Sequence, residues 1–344
     1  MENQKTNTGT KEILNETKSP LEAIESDKEN IGLFKVKTAN EWIALAKKIP
    51  IPRMLFGELW FENELCILFA DTNLGKSILA VQIGNSISKG EQINGFKFEA
   101  KKQSVLYFDF ELSLKQFSNR YAIDYEQHFI FDNDFIRIEI NPDEDIPANE
   151  TFESYLNNSL ERSIVETGSK ILIIDNLTYL KAETEQSKDA LPLMKHLKAL
   201  KSKYKLSILA LAHTPKRDLS KPITRNDLAG SKMLINFVDS CFSIGESHGD
   251  KDLRYIKQVK ARNTEIIYDS ENVAVCQIDK PHNFLQFEFL NYGSEMEHLK
   301  HISKEDRETN ISKAKELAKQ GISQRKIAKE LSISLGAVNK YLKI

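Results

Sequence analysis

Long apolar runs, paired cysteines and an excess of charge of one sign are all missing from this 344-residue chain. No stretch approaches the ~20 apolar residues of a membrane span and the N-terminus has no signal-peptide core, so a soluble, cytoplasmic protein without a membrane partner is expected. The three cysteines, Cys66, Cys241 and Cys276, stand far apart, without the spacing of a metal site or a disulfide framework. They read as reduced thiols in core strands. A net charge of −2 excludes a uniformly basic coat, so any nucleic-acid binding must be local. The length allows one large α/β domain and one small one. Residues 1–30 are rich in Glu, Lys, Asn, Thr and Ser with almost no aromatic content, and are predicted to be a disordered tail.

What the chain does contain is a strand running into a glycine-bearing loop and then a helix. Leu65 to Phe69 is an unbroken apolar run suited to a buried parallel strand. Ile78, Leu79, Val81, Ile83 and Ile87 follow at helical spacing. Between them lie Ala70, Asp71, Thr72, Asn73, Leu74, Gly75, Lys76 and Ser77, which fit a phosphate-binding loop. Successive backbone N–H groups and the positive end of the helix dipole converge on an anion there. Gly75 permits close approach, Lys76 reaches the β- and γ-phosphates, and Ser77 places its hydroxyl on Mg²⁺. Ala70 stands where the pattern has glycine, and Asp71 must turn its carboxylate away from the phosphates. ATP and Mg²⁺ are the expected ligands.

Three further strands are predicted, Ser104–Glu111, Lys170–Asn176 and Leu206–His213, preceded by a short amphipathic helix over 37–50 and a lead-in at Met54–Phe56 that packs on the core or on a neighbouring subunit. Ligands of an open α/β sheet sit beyond the carboxyl ends of its strands, so Asp109, Glu111, Asp175 and His213 are expected to face the crevice of Lys76. Asp175, after four apolar residues, has the form of a carboxylate that holds Mg²⁺ through water. Asp109 or Glu111 is the base for the attacking water, Glu111 being the first candidate. His213 is placed to sense the γ-phosphate or to sit satisfied in the core.

The set Ala70–Ser77, Asp109–Glu111, Ile171–Asp175 and Ala212–Thr214 resembles the core of RecA/DnaB-type ATPases, and most closely the RepA-like plasmid helicase branch, over about residues 50–290. The resemblance implies an α/β fold with a RecA-like P-loop core and a central, mostly parallel sheet. It implies that Glu111 activates water, and that a ring, a hexamer, holds ATP between subunits. Ala212 replaces the second histidine of the family's sensor strand. Leu228–Lys232 is similar to the family's Gly-Ser turn. Lys260 and Arg262 match a Lys-x-Arg end that reaches a neighbour's nucleotide, so they act in trans if the match holds. The basic segment Thr214–Asp227, with Lys216, Arg217, Lys221 and Arg225, matches a loop facing the ring channel and single-stranded DNA.

From Lys304 to Ile344 ten Lys/Arg stand against five Asp/Glu. The spacing predicts helices over Ser312–Lys319, after Ser323, and over Leu335–Lys343. This stretch resembles the helix-turn-helix of resolvase-like and LuxR-like proteins. Ser334, Ala337, Asn339 and Lys340 are expected to face duplex DNA, with Arg325 and Lys326 near phosphates. The expected organisation is a tail (1–30), a RecA-like ATPase domain (31–290), a linker (291–303) and a small all-α domain (304–344). The expected function is an oligomeric, RepA-like DNA helicase or translocase in replication or maintenance of a plasmid or mobile element. The alternative is an ATP-switched DNA-binding regulator without helicase activity.

Overall fold

The computed structural model describes residues 30–177, 190–215, 217–228, 231–300, 304–331, 333 and 335–343. The tail over 1–29, Lys216, the Ala229–Gly230 part of the Gly-Ser turn, residues 301–303 of the linker, and Ser334 lie outside them. The chain divides into two compact units, Met1–Ile51 and Pro52–Ile344, so the break falls later than the expected 30/31 boundary.

In the first unit β1 (Asn30–Ile31) pairs antiparallel with β2 (Phe34–Lys35). Helix α1 (Ala39–Ala46) follows, started by a capping box in which Glu41 N–H donates to Thr38 Oγ1 and Thr38 N–H donates to Glu41 Oε2. Its apolar side chains Trp42, Ile43 and Leu45 are exposed.

In the second unit β3 (Met54–Phe56) and β4 (Trp60–Phe61) form a hairpin whose Leu55, Phe56 and Trp60 are buried in the unit's own core. The strands β5 (Leu65–Ala70), β6 (Val105–Asp109), β9 (Phe135–Ile138), β10 (Ile171–Asp175), β11 (Ser207–His213), β12 (Ser240–Glu246), β13 (Leu253–Lys260), β14 (Val273–Asp279) and β15 (Gln286–Gly293) make one sheet in the order β15-β14-β13-β12-β5-β11-β10-β6-β9. From β12 to β9 every pairing is parallel, and from β12 to β15 every pairing is antiparallel. The central strands are buried on both faces, as their continuous apolar runs require. Helix α2 (Lys76–Lys89) covers one face. Helices α4 (Phe152–Thr167) and α5 (Ala190–Tyr204) cover the other, and β6 is followed by α3 (Leu114–Arg120) and by β7 (Ala122–Ile123) and β8 (Gln127–His128), an antiparallel pair outside the main sheet. Among the described residues no helix is long and apolar enough to cross a membrane. The three cysteines are free and buried in β5, β12 and β14.

The antiparallel strands fold over α2. The Gln82 amide of α2 donates to Phe287 O at 2.9 Å and accepts from Phe287 N–H at 2.9 Å, doing for β15 what a neighbouring strand would do. Residues 291–300, expected in a linker, belong to this region. β15 runs to Gly293, a 3₁₀ turn spans Glu295–His298, and Glu295 and Leu299 are buried. Glu295 pairs with Lys257, which also donates to Ile223 O at 2.8 Å, while Ile223 N–H donates to Glu295 at 2.6 Å. The Thr214–Asp227 segment is therefore strapped to the sheet at Ile223, and again where Lys300 N–H donates to Leu219 O at 3.0 Å.

The C-terminal residues form α7 (Lys304–Lys319), α8 (Gln324–Glu330) and α9 (Leu335–Tyr341) around their own small core of Ala314, Ile327, Val338 and Tyr341. Ser323 is the N-cap of α8 but makes no side-chain cap bond.

Removing one partner of a buried ion pair strands the other charge, so Glu295→Ala should lower unfolding free energy by about 3–5 kcal/mol. The Lys257→Met/Glu295→Leu double variant should recover most of that loss in chemical denaturation.

Candidate active site

Two residues in the left-handed region, Asn73 (φ 64) and Gly75 (φ 92), wind the loop between β5 and α2. Asparagine and glycine are the residues that adopt this conformation at least cost. A Cβ at Gly75 would lie 2.8 Å from Ile278 Cδ1 and 2.9 Å from the Phe287 ring, so the position also demands the absence of a side chain. Gly75 caps α2 without a side-chain acceptor, which leaves the N–H groups of the first turn free of a side-chain cap and aimed at the loop. Asp71 turns to the surface, where its carboxylate accepts from Thr72 N–H at 2.7 Å.

Side chains alternate along a strand, and the alternation brings the sequence-derived candidates together. Cys66, Leu68 and Ala70 of β5 share the α2 face with Val105 and Tyr107 of β6, Ile171 and Ile173 of β10, and Leu209 and Leu211 of β11. Two residues on, Asp109, Asp175 and His213 end their strands on that same face. Lys76 is buried, its Nζ donating to Ala70 O (3.1 Å), Asp71 O (3.0 Å) and His213 Nδ1 (3.3 Å). Burial pulls its pKa down, and Asp175, Glu111 and Asp71 oppose that pull. An ammonium only donates, so His213 accepts from Lys76 at Nδ1, and the Asn176 amide lies 3.2 Å from its other ring nitrogen, Nε2. That nitrogen lies 3.5 Å from Glu111 Oε1.

The two carboxylates differ by environment. Asp175 is fully buried, and burial lifts its pKa to about 6 against the hydroxyls of Ser77 and Tyr107. Its Oδ2 accepts from Tyr107 at 2.7 Å, whereas Oδ1 is buried and has no hydrogen-bond partner among the described residues. An orphaned, inward carboxylate oxygen beside the Ser77 hydroxyl fits a divalent cation carried by a triphosphate, held by Ser77 and, through water, by Asp175. Glu111 lies beyond the end of β6 with its side chain 39 % exposed. It accepts from the Asn176 amide, and the His213 hydrogen bond holds its pKa below the usual range against partial burial. Glu111 is thus ionised and open to solvent.

Asp109, the other candidate base, is occupied. Oδ1 accepts from the N–H groups of Glu111 (3.2 Å) and Leu112 (3.0 Å), and Oδ2 pairs with Arg137 at 2.9 Å. Beside the loop a cleft is lined by Asp71, Thr72, Leu74, Thr214, Arg217 and Gly245, among others.

The AAA_25 family model, an AAA domain, matches residues 34–218, more than half of the chain. The chain belongs to this AAA-domain family. It is a P-loop ATPase. Among solved structures it is similar to the KaiC-like protein PH0186 from Pyrococcus horikoshii OT3, at 12 % identity over 66 % of this chain and 90 % of that one, with a TM-score of 0.44. No curated protein matches it.

The remaining candidates of this AAA-domain protein lie elsewhere. Lys260 and Arg262 stand at the far end of the sheet, since Lys260 pairs with Cys241, which pairs with Ile67 near the start of β5. Lys260 donates to the carbonyls of Ile235 and Val238 at the end of helix α6 (Ser231–Phe237), and Arg262 pairs with Asp239 at 3.0 Å. Neither approaches its own phosphate loop. In the strapped segment Arg217 donates to Lys221 O at 2.8 Å, and Lys221 pairs with Asp218 at 3.4 Å. Arg225 is exposed. In the three-helix region Arg325, Lys326, Asn339 and Lys340 are exposed as expected. Ala337 is not outward: it packs against the Ala314–Ile327–Val338 core, because it lies one residue from Val338 and four from Tyr341 on α9. Sequence reasoning missed Tyr107, Asn176 and Arg137. Tyr107 had a signal, a hydroxyl two residues before Asp109 on the same face, while the others depend on contacts across strands.

The raised pKa of Asp175 means that the wild type loses stability as pH rises from the ordinary carboxylate range through about 6. Asp175→Asn removes the buried charge, so at pH 8 it should stabilise the nucleotide-free protein by about 1–3 kcal/mol. The gain should vanish in thermal melts well below pH 6, where the wild-type carboxyl is already protonated.

Proposed function

We propose that this AAA-domain protein is a ring-forming, hexameric, RepA-like DNA translocase or helicase that uses ATP and Mg²⁺ in replication or maintenance of a plasmid or mobile element. The observation that carries the reading is Glu111: ionised, open to solvent, tied through His213 to Lys76 and bonded to Asn176, the residue beside Asp175. A carboxylate so placed can take a proton from water attacking a γ-phosphate that Lys76 holds. Mg²⁺, when bound, neutralises charge that builds on the phosphates. Lys76 is parked on backbone carbonyls and must transfer to the phosphate, releasing His213 Nδ1 as it goes. That links the phosphate to the Thr214–Asp227 segment directly after His213, whose Arg217, Lys221 and Arg225, with Lys216, would meet single-stranded DNA by phosphate contacts.

The basic C-terminal helices α7–α9 serve as a helix-turn-helix for duplex DNA, α9 entering the major groove. Asn339 and Lys340 are the reading side chains, with Arg325 and Lys326 on phosphates. Lys340→Ala should relax sequence preference, whereas Arg325→Ala should weaken all duplexes alike and cut the salt slope by about one.

The second reading, an ATP-switched regulator without helicase activity, draws support from Lys260 and Arg262. Both are engaged within their own chain, so a trans role requires their release. ATPase assays with and without single-stranded DNA, and strand displacement, separate the two. The motor requires turnover that DNA stimulates and that Lys76→Ala abolishes, while slow hydrolysis indifferent to DNA would leave only the regulator.

If Arg262 acts in trans, Arg262→Ala alone should lose about 10³-fold in turnover, the scale of an arginine finger. Mixing it with Lys76→Ala subunits should restore part of that turnover, because some interfaces then combine an intact Lys76 with an intact Arg262. Mixtures as inactive as their components would sink the trans assignment.

A further inference from the structure

The turn that carries Glu111 is held from the neighbouring edge strand. β9 pairs in parallel with β6 and sets Arg137 opposite Tyr107, on the face that ends in Asp109. From there the guanidinium reaches along the sheet: Nε donates to Asp109 Oδ2 at 2.9 Å and Nη2 donates to Leu112 O at 2.7 Å. Asp109 Oδ1 in turn accepts from the N–H groups of Glu111 and Leu112. Both ends of the Phe110–Leu112 turn are therefore gripped by one planar fork. The group is itself immobilised, with its carbon 4.7 Å from the Phe117 ring centroid and Nη1 paired with Glu139. The Asp109 side chain is fully buried and that of Arg137 is 14 % exposed. A pair serving stability alone would need only the carboxylate. The second bond, to the Leu112 carbonyl, fixes the direction in which the chain leaves the turn, and a rigid fork is what arginine supplies and lysine does not.

We propose that Arg137 is a positioning residue for ATP hydrolysis: through Asp109 and the Leu112 carbonyl it sets where Glu111 stands, and so governs turnover without contributing to nucleotide binding. The inference rests on the assignment of Glu111 as the base. Arg137 makes no hydrogen bond or ion pair to Lys76, Ser77 or Asp175, so the groups that would hold the triphosphate keep their places when it is changed.

The test uses the full-length protein and the variants Arg137→Ala, Arg137→Lys, Glu111→Gln and Arg137→Ala/Glu111→Gln. Turnover, the dissociation constant of a fluorescent ATP analogue and the thermal midpoint are measured for each. Arg137→Ala should lower kcat by about 100-fold, the scale of a reacting group displaced by ~1 Å, with nucleotide affinity within about twofold of wild type. Arg137→Lys keeps a charge beside Asp109 but not the fork, so it should restore the thermal midpoint and only part of kcat. In the Glu111→Gln background, Arg137→Ala should add no further loss, since both changes remove the same step. Full recovery of kcat by Arg137→Lys, a loss of affinity matching the loss of kcat, or an additional loss in the Glu111→Gln background would each overturn the positioning role. Wild-type turnover by Glu111→Gln removes the base assignment and the positioning role with it, whereas an inactive Glu111→Gln beside a fully active Arg137→Ala removes the positioning role alone.

Discussion

Successive side chains of a strand point to opposite faces, so the register of four parallel strands decides whether this site exists. His213 lies opposite Ala70, and Asp175 opposite Asp109, all on the face covered by α2. A slip of one residue in β10 would turn Asp175 toward α4 and α5 and bury Ile174 against the phosphate loop instead. The apolar runs that precede these polar ends resist that slip, because each alternate residue already fills one of two dry cores. Packing and chemistry are therefore one constraint here.

The electrostatics of the site follow from its depth. Lys76 and Asp175 are both desolvated and each shifts toward its neutral form, yet Nζ rests on two carbonyls and Oδ1 of the carboxylate has no partner among the described residues. The carboxylate oxygen is short of a partner that a divalent cation would supply, whereas the ammonium already has three acceptors and would exchange one of them for phosphate. Glu111 has the opposite environment, half exposed and kept ionised by His213. Asp175, the last residue of its strand, and Glu111, two residues past the end of its own, are thus set apart by burial in the one and by the His213 hydrogen bond in the other.

The antiparallel half of the sheet fixes the frame around this centre. Gln82 ties the helix behind the phosphate loop to β15, Ile278 and Phe287 fill the space over Gly75, and the Lys257–Glu295 pair fastens the segment that leaves His213. Further along the chain from His213, Arg217 is half-buried and Lys221 and Arg225 are exposed.

Amino-acid order alone determined the phosphate loop, the four strands and the identity of their polar ends, because unbroken apolar runs and a Gly-Lys-Ser turn depend on neighbours in sequence. It also determined the three C-terminal helices, through the helical spacing of their apolar residues. Only tertiary structure showed that Asp109 is held by a guanidinium while Glu111 stays open to solvent, since Arg137 lies 28 positions away from Asp109 and meets it from the neighbouring strand. In the same way it turned a basic loop into a strapped segment, anchored residues 291–300 through the buried Glu295, His298 and Leu299, and took Ala337 out of the exposed face. Each of these rests on which distant group reaches a given atom, and local periodicity carries no information about that.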